Sequence, residues 1–232
     1  MRRLRHVLAS RMSGYLKKTF PVFATSRWTT VGPCRAFQME RLLPALSIGM
    51  GLDIGFFNEY HKNGENQSRP LHYPEGPAEV FESGEKGRVG VYTDFGTCTF
   101  LSQDDVGGLE VESLNQPGVL IPAPPIRGAA VFNIGDFLKR WSDDELSATL
   151  LCSAITDNLA RHPQDDIAPR SSTSEEGRRR RSNIRTVFSS LLHTTIIVDC
   201  VPGCWGPDSD KPKKYPPINA AEYIDMRTNV TY

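Results

Sequence analysis

Cysteines are the most versatile chemical side chains in this sequence, since a thiol can bind a metal, form a disulfide or act as a nucleophile. They lie at Cys34, Cys98, Cys152, Cys200 and Cys204. The last two form a CxxxC pair, but no second pair supplies the other half of a zinc tetrahedron. An odd number of cysteines also disfavours a disulfide-built secreted domain. The sequence therefore predicts no structural zinc, and it predicts a reducing compartment such as the cytoplasm.

The strongest local charge is a run of four arginines at 178–181. Such a run binds phosphate or nucleic acid in some proteins, but like charges repel one another and usually lie in solvent. Over the whole chain, 27 Lys and Arg balance 27 Asp and Glu, so no nucleic-acid partner is expected. The surrounding stretch lacks apolar periodicity. We predict an irregular insertion at about 152–192.

Residues 1–35 form an irregular or targeting-like segment. No Asp or Glu precedes Glu40, and the segment is rich in arginine, which is the composition of a mitochondrial transit peptide. A disordered or wrongly assigned amino terminus is the alternative. No apolar run approaches the roughly 18 residues of a membrane span, so no membrane partner is expected.

The elements that must position any site begin after this segment, in a domain over 36–232. Met39, Leu42, Leu43, Leu46 and Met50 recur at helical spacing and predict an amphipathic helix in spite of Pro44. Asp53 is the expected N-cap of a second short helix. Asn219 and Glu222 have the spacing of a capping box and predict a final helix.

Short β-strands dominate the middle of the chain. We predict them near 88–93, 97–102, 118–122, 129–134, 145–151 and 194–200. Their length and regular spacing are typical of a sandwich or barrel. Asp104 and Asp105 precede Gly107 and Gly108, and we interpret this group as a tight turn rather than a catalytic cluster.

Five motifs occur in an order that resembles a known family. They are Leu71–Pro74, Tyr92–Thr97, Gln103–Leu109, Asn133–Asp136 and Lys214–Ile218. Together they resemble the 2-oxoglutarate/Fe(II)-dependent dioxygenases of the isopenicillin N synthase-like superfamily, over about 36–151 and 194–232. The resemblance implies a mainly β fold with flanking helices, a double-stranded β-helix or jelly roll. It also implies Fe(II) and 2-oxoglutarate as cofactors, and an oxidoreductase acting on a small organic molecule, for example in specialised-metabolite biosynthesis.

The metal ligands of that family are two histidines and one carboxylate on one face of the iron. By resemblance, Asp94 occupies the carboxylate position, Tyr92 the first histidine position and Leu151 the second. Leucine has no lone pair to offer. A tyrosine binds metal as a phenolate, but its ordinary pKa of about 10 must first be overcome. Asp94 is equally well interpreted as a carboxylate that caps the Thr93–Thr97 turn and binds no metal.

The co-substrate carboxylate is bound in that family by an Arg-x-Ser pair, because a guanidinium pairs with a carboxylate in bidentate fashion. Arg180 and Ser182 have this spacing, and Arg185 is a competing candidate. Tyr73 corresponds to a tyrosine that contacts the co-substrate in related enzymes, or it is simply an aromatic residue at the barrel rim.

Three functions remain open at this stage. The first is an active 2-oxoglutarate/Fe(II) oxygenase. The second is an iron-less jelly-roll protein, which includes a non-oxidative enzyme, a binding protein and an inactive copy. The third is an active oxygenase with an incorrect gene model. The histidines of the chain offer no obvious replacement for the missing iron ligands, because we expect each of them to be exposed or hydrogen-bonded. They are His6, His61, His72, His162 and His193.

Overall fold

The computed structural model describes residues 31–77, 90–113, 115–153, 179–180, 183–206 and 212–231. Five α-helices lie in these ranges: α1 Val31–Phe37, α2 Leu43–Gly49, α3 Phe56–His61, α4 Asp136–Trp141 and α5 Ala220–Thr231. None of the helices in the described part is both long and apolar enough to cross a membrane.

Helices α1 and α2 follow each other without a break, because a π-helical turn, Gln38–Leu42, joins them. Leu43 N–H donates to the Gln38 carbonyl across this turn. Pro44 follows at the start of α2, where its missing N–H is best tolerated. The predicted amphipathic helix is therefore confirmed, and its Leu42, Leu43 and Leu46 side chains are buried.

The strands alternate with loops along the rest of the chain. They are β1 Gln67–Tyr73, β2 Gly76–Pro77, β3 Cys98–Gln103, β4 Leu109–Ser113, β5 Gln116–Pro122, β6 Val131–Ile134, β7 Leu151–Ser153, β8 Arg179–Arg180, β9 Asn183–Ser190, β10 Ile197–Val198 and β11 Ile218–Asn219.

Two antiparallel sheets form the barrel. The major sheet has the order β1-β9-β3-β6, and the minor sheet has the order β5-β4-β7. Tyr92 extends the minor sheet through an isolated antiparallel bridge to Leu151. The sheets meet through the Gln103 amide, whose Nε2 donates to the Ala123 carbonyl at 2.8 Å. Mainly antiparallel sheets with helices outside are the jelly roll that the sequence predicts, and the fold prediction is confirmed.

The helices cover the outer face of the major sheet. Phe100 of β3 and Phe188 of β9 are buried there, and the Phe37 ring of α1 lies 5.9 Å from that of Phe100. A second core joins α3, α4 and α5, where the rings of Phe57 and Trp141 meet edge to face at 5.1 Å. Burying side chains of this size contributes about 1.5–3 kcal/mol each, which anchors the barrel wall to its helical cover.

Several local expectations need correction. Strand β9 lies within 152–192, where the sequence indicates an irregular insertion, and it is the longest strand among the described residues. Residues 145–150 form a turn and loop, so a strand begins only at Leu151. The N-cap of α3 is Gly55, and Asp53 instead accepts the Gly55 N–H at 2.9 Å. Residues 1–30 and most of the proposed insertion lie outside the described residues.

The predicted final helix and its N-cap are confirmed. Asn219 Oδ1 accepts the backbone N–H of Ala221 at 2.9 Å and that of Glu222 at 3.4 Å, as an N-cap residue does. The Asp104–Gly108 turn is also present, with Gly107 at φ +77° and Gly108 at φ +83°. Glycine adopts this left-handed backbone at little cost.

Candidate functional site

The inner wall of the major sheet is lined by side chains from alternating positions on its strands. Residues directly opposite in an antiparallel pair lie on the same face. Arg185 of β9 is paired with Leu71 of β1 and with Gln103 of β3, and Asn183 is paired with Tyr73. These side chains therefore face the barrel interior together, at one end of the sheet.

Arg185 is the buried cation of this wall. It is only 2% exposed, its guanidinium carbon lies 5.4 Å from the centre of the Tyr73 ring, and its Nη2 donates to the Gly107 carbonyl at 3.3 Å. The same carbonyl accepts the Asn183 amide at 2.9 Å. Burial lowers the pKa of Arg185, and the nearby Tyr73, Tyr92 and Asp104 partly offset this effect. An arginine remains charged in any case.

The opposite wall carries Tyr92 and Leu151 side by side. Tyr92 N–H donates to the Leu151 carbonyl at 2.9 Å, and Leu151 N–H donates to the Tyr92 carbonyl at 2.8 Å. On its other side Leu151 is paired with Val111 of β4. Directly paired residues share a face, so the Tyr92 and Leu151 side chains project the same way. Leu151 is fully buried and Tyr92 is partly buried.

Asp94 is held in place by strand β6 and by the start of helix α4. Its Oδ2 accepts the Asn133 amide at 2.7 Å, and its carbonyl accepts the Asp136 N–H at 2.7 Å. Burial raises the pKa of Asp94, an effect that the hydrogen bond from Asn133 opposes and the charge of Asp136 adds to. The prediction that Asp94 caps its own turn finds no support in these contacts, because its side chain is bonded across the barrel instead.

The electrostatic environment of Tyr92 disfavours the phenolate. Burial raises the pKa of its hydroxyl, and the charge of Asp94 and the neighbouring Tyr73 raise it further. Arg185 is the opposing influence. Tyr92 is therefore a neutral phenol that acts as a hydrogen-bond donor or acceptor at neutral pH.

The structure brings together five residues that the sequence singled out: Tyr73, Tyr92, Asp94, Leu151 and Arg185, the competing candidate for the clamp. The backbone of Arg180 is paired with Gly76 in a two-residue ladder, and Ser182 lies outside the described residues. Their role as the co-substrate clamp stays a prediction.

Sequence reasoning missed two residues of this site. Asn183 lies two residues before Arg185, the spacing at which strand residues share a face, but without a visible strand the spacing carried no signal. Asn133 appeared only as part of a strand end. Its contact with Asp94 joins residues 39 positions apart, which local patterns cannot show.

The comparisons with known proteins agree with this architecture. The family model described as the 2OG-Fe(II) oxygenase superfamily matches residues 57–150. The family resemblance is confirmed. A 2-oxoglutarate-dependent dioxygenase of Aspergillus rugulosus is 28% identical to this chain over 93% of its length. A second such dioxygenase of the same organism is 41% identical over 49% of the chain.

A solved structure shows the same fold. A full-length Neurospora crassa protein in complex with alpha-KG, which is 2-oxoglutarate, and thymine superimposes with a TM-score of 0.70 and 30% identity. The match covers 88% of this chain and 55% of that protein. The chain spans 60% and 32% of the length of the two Aspergillus relatives.

Fe(II) and 2-oxoglutarate are the cofactors of this superfamily, and the two fit these residues differently. Buried Arg185 beside Tyr73 suits a carboxylate. A ferrous facial site requires three donors. Here Asp94 supplies one, Tyr92 is a neutral phenol and Leu151 supplies none. No group of three His, Cys, Asp or Glu side chains that would hold a metal occurs among the described residues. The donors that the described residues bring to this site do not fit iron.

Proposed function

We propose that this barrel binds 2-oxoglutarate and that Arg185 binds the carboxylate of that molecule farthest from its oxo group. The observation that carries the proposal is the burial of Arg185 inside the barrel, with the Tyr73 ring against its guanidinium. Placing a cation in an interior costs several kcal/mol, and an anionic ligand is one way of offsetting that cost. A guanidinium is also the group best shaped to bind a carboxylate through two hydrogen bonds.

For the protein as a whole we propose a 2-oxoglutarate-dependent oxidoreductase that acts on a small organic molecule, with specialised-metabolite precursors as the substrate class. The thymine in the Neurospora complex supports a small-molecule substrate. Balanced charge speaks against a nucleic-acid partner, no membrane partner is proposed, and the free cysteines support a reducing compartment such as the cytoplasm.

The binding half of this proposal is tested by titrating 2-oxoglutarate into wild-type protein and into Arg185→Gln by calorimetry. We expect the variant to bind at least thirtyfold more weakly, which corresponds to about 2 kcal/mol. Arg69→Gln is the matched control, because Arg69 is exposed on the neighbouring strand β1. Equal losses in Arg180→Gln and Arg185→Gln would instead favour Arg180 as a second carboxylate ligand.

The oxidative half is tested separately. Protein is incubated in air with Fe(II), ascorbate and 2-oxoglutarate, and succinate is measured with and without a panel of small heterocycles and amino acids. Succinate release above that of the Arg185→Gln variant supports the oxidoreductase. Binding of 2-oxoglutarate with no succinate release restricts the function of this chain to binding.

A further inference from the structure

By resemblance, the Tyr92–Leu151 pair occupies the two histidine positions of the metal site, whereas the facing wall carries the buried Arg185 against Tyr73. We infer that this barrel binds 2-oxoglutarate without iron, through Arg185 and the phenol groups of Tyr73 and Tyr92. The inference rests on the proposed 2-oxoglutarate site and concerns what completes that site.

The first step is the position of Leu151. Its side chain is fully buried and projects from the same face as that of Tyr92, since the two residues are directly paired. Backbone hydrogen bonds on both edges, to Tyr92 and within the ladder with Val111, fix this orientation. A group without lone pairs therefore occupies the second histidine position and does not swing away from it.

The second step is the state of Asp94. A single carboxylate leaves most of the coordination sphere of a divalent ion to water. Asp94 also shares one oxygen with the Asn133 amide at 2.7 Å. Loss of residues that merely orient metal ligands weakens binding about 10–100-fold, and the loss of two direct ligands is more severe. Asp94 alone does not retain Fe(II) at micromolar concentration.

The third step is the set of donors that remains. The guanidinium of Arg185 lies against the Tyr73 ring, and Tyr92 lies on the facing wall, where it is bridged to Leu151. Phenol O–H groups donate to carboxylate and carbonyl oxygens. One cation and two phenols on facing walls thus form a site for a carboxylate that requires no metal.

A ligand comparison tests this directly. Metal chelation by 2-oxoglutarate uses the oxo group beside a carboxylate, and glutarate lacks that oxo group. We expect wild-type protein to bind 2-oxoglutarate with the same affinity, within twofold, in EDTA and in anaerobic Fe(II). Glutarate should bind within about fivefold of 2-oxoglutarate, and Arg185→Gln should weaken both ligands in EDTA.

The double variant Tyr92→His with Leu151→His is the positive control. The two imidazoles would project from paired positions toward the side that Asp94 occupies, and we expect stoichiometric Fe(II) binding with at least a tenfold gain in 2-oxoglutarate affinity when iron is added. Each single variant should gain much less. Circular dichroism checks that the variants fold, and the wild-type comparison stands without them.

The outcomes separate the inference from the proposed function. Wild-type protein that binds 2-oxoglutarate only with Fe(II), or that binds Fe(II) stoichiometrically at micromolar concentration, overturns the inference and leaves the proposed function standing. Absence of 2-oxoglutarate binding in both conditions overturns both. Binding in EDTA that is lost in Arg185→Gln supports the inference and the binding half of the proposed function.

Discussion

At the scale of single residues, His61 shows how a histidine becomes structural. It is 1% exposed, and its Nδ1–H donates to the Phe57 carbonyl at 2.7 Å. Its Nε2 lies 2.9 Å from the Thr97 hydroxyl, which donates to it. Both ring nitrogens are thus satisfied in the neutral form. Burial lowers the pKa of His61 to about 4, the backbone hydrogen bond to Phe57 opposes this shift, and the charge of Arg35 adds to it.

This arrangement predicts a specific loss of stability in acid. The unfolded chain takes up a proton at His61 near pH 6.5 and the folded chain only near pH 4, so stability is complete above 6.5 and falls as the pH drops toward 4. Between pH 7 and pH 5 the free energy of unfolding should fall by about 2 kcal/mol from this residue.

Urea unfolding at both pH values measures the effect. His61→Gln should lose about 2 kcal/mol of this pH dependence, although it is less stable at pH 7. His72→Gln, on an exposed residue of β1, is the matched control for replacing a histidine. A His61→Gln variant with the full wild-type pH dependence would show that another group causes it.

At the scale of elements, Gly135 allows α4 to start directly against the segment that carries Asp94. An added Cβ would overlap the Gly96 carbonyl oxygen and lie 2.8 Å from the Asp94 carbonyl oxygen. Gly135 has φ −92°, an ordinary backbone conformation, so the requirement for glycine comes from close packing alone. Asp136 N–H and Phe137 N–H then donate to the carbonyls of Asp94 and Gly96.

We therefore expect Gly135→Ala to destabilise the protein by about 2–3 kcal/mol, the upper part of the roughly 1–3 kcal/mol usual for forced overpacking. Gly32→Ala is the matched control, because Gly32 lies in α1 and an added Cβ there meets no atom within 4 Å. Alanine is the better helix former, so this control should gain about 0.5–1 kcal/mol. Thermal and urea unfolding measure both changes. A neutral Gly135→Ala would mean that α4 shifts freely.

Strand β9 explains why the sequence predicted the helices and several strands but not the whole sheet. Its inward-facing Asn183 and Arg185 are polar although they are buried. The alternation of apolar and polar residues that predicts a strand is therefore absent where β9 lines the site. Strand β1 contains Pro70, which weakens any strand prediction but is tolerated because β1 is an edge of its sheet. Local rules fail at functional sites because residues there satisfy the ligand rather than the fold.

Local sequence patterns were equally insufficient to predict how the residues of the site are arranged. Tyr92, Asp94 and Leu151 were found because their motifs resemble a family, and the bridge between Tyr92 and Leu151 agrees with that placement. The proposal that Arg185 binds the carboxylate depends on the strand register, which is set by pairing with β1 and β3. Sequence spacing alone contains no information on such long-range pairing.

At the scale of the whole molecule, helix α5 is connected by side-chain contacts to the segment that carries Asp94. Arg227 Nη2 lies 2.7 Å from Asp136 Oδ2 and donates to the Thr93 hydroxyl at 3.3 Å. The Thr93 hydroxyl itself donates to Asp136 Oδ2 at 2.5 Å. One carboxylate of α4 thus joins α5 to the residue between Tyr92 and Asp94, and the final helix supports the geometry of the site.

Breaking this tie should loosen α5 and the site together. Arg227→Met retains the apolar part of the side chain and leaves Asp136, which is 9% exposed, without its ion pair. We expect a loss of about 1–3 kcal/mol in urea unfolding, less than for a fully buried pair because Arg227 is one-third exposed. Glu59→Gln is the control: it breaks the exposed ion pair between Glu59 of α3 and Lys62 and should cost no more than about 0.5 kcal/mol.

If the contacts of Arg227 also position the site, hydrogen exchange at Thr93 and Asp94 should speed up in Arg227→Met and not in Glu59→Gln. Exchange that increases only within α5 would show that the helix end frays without affecting the barrel.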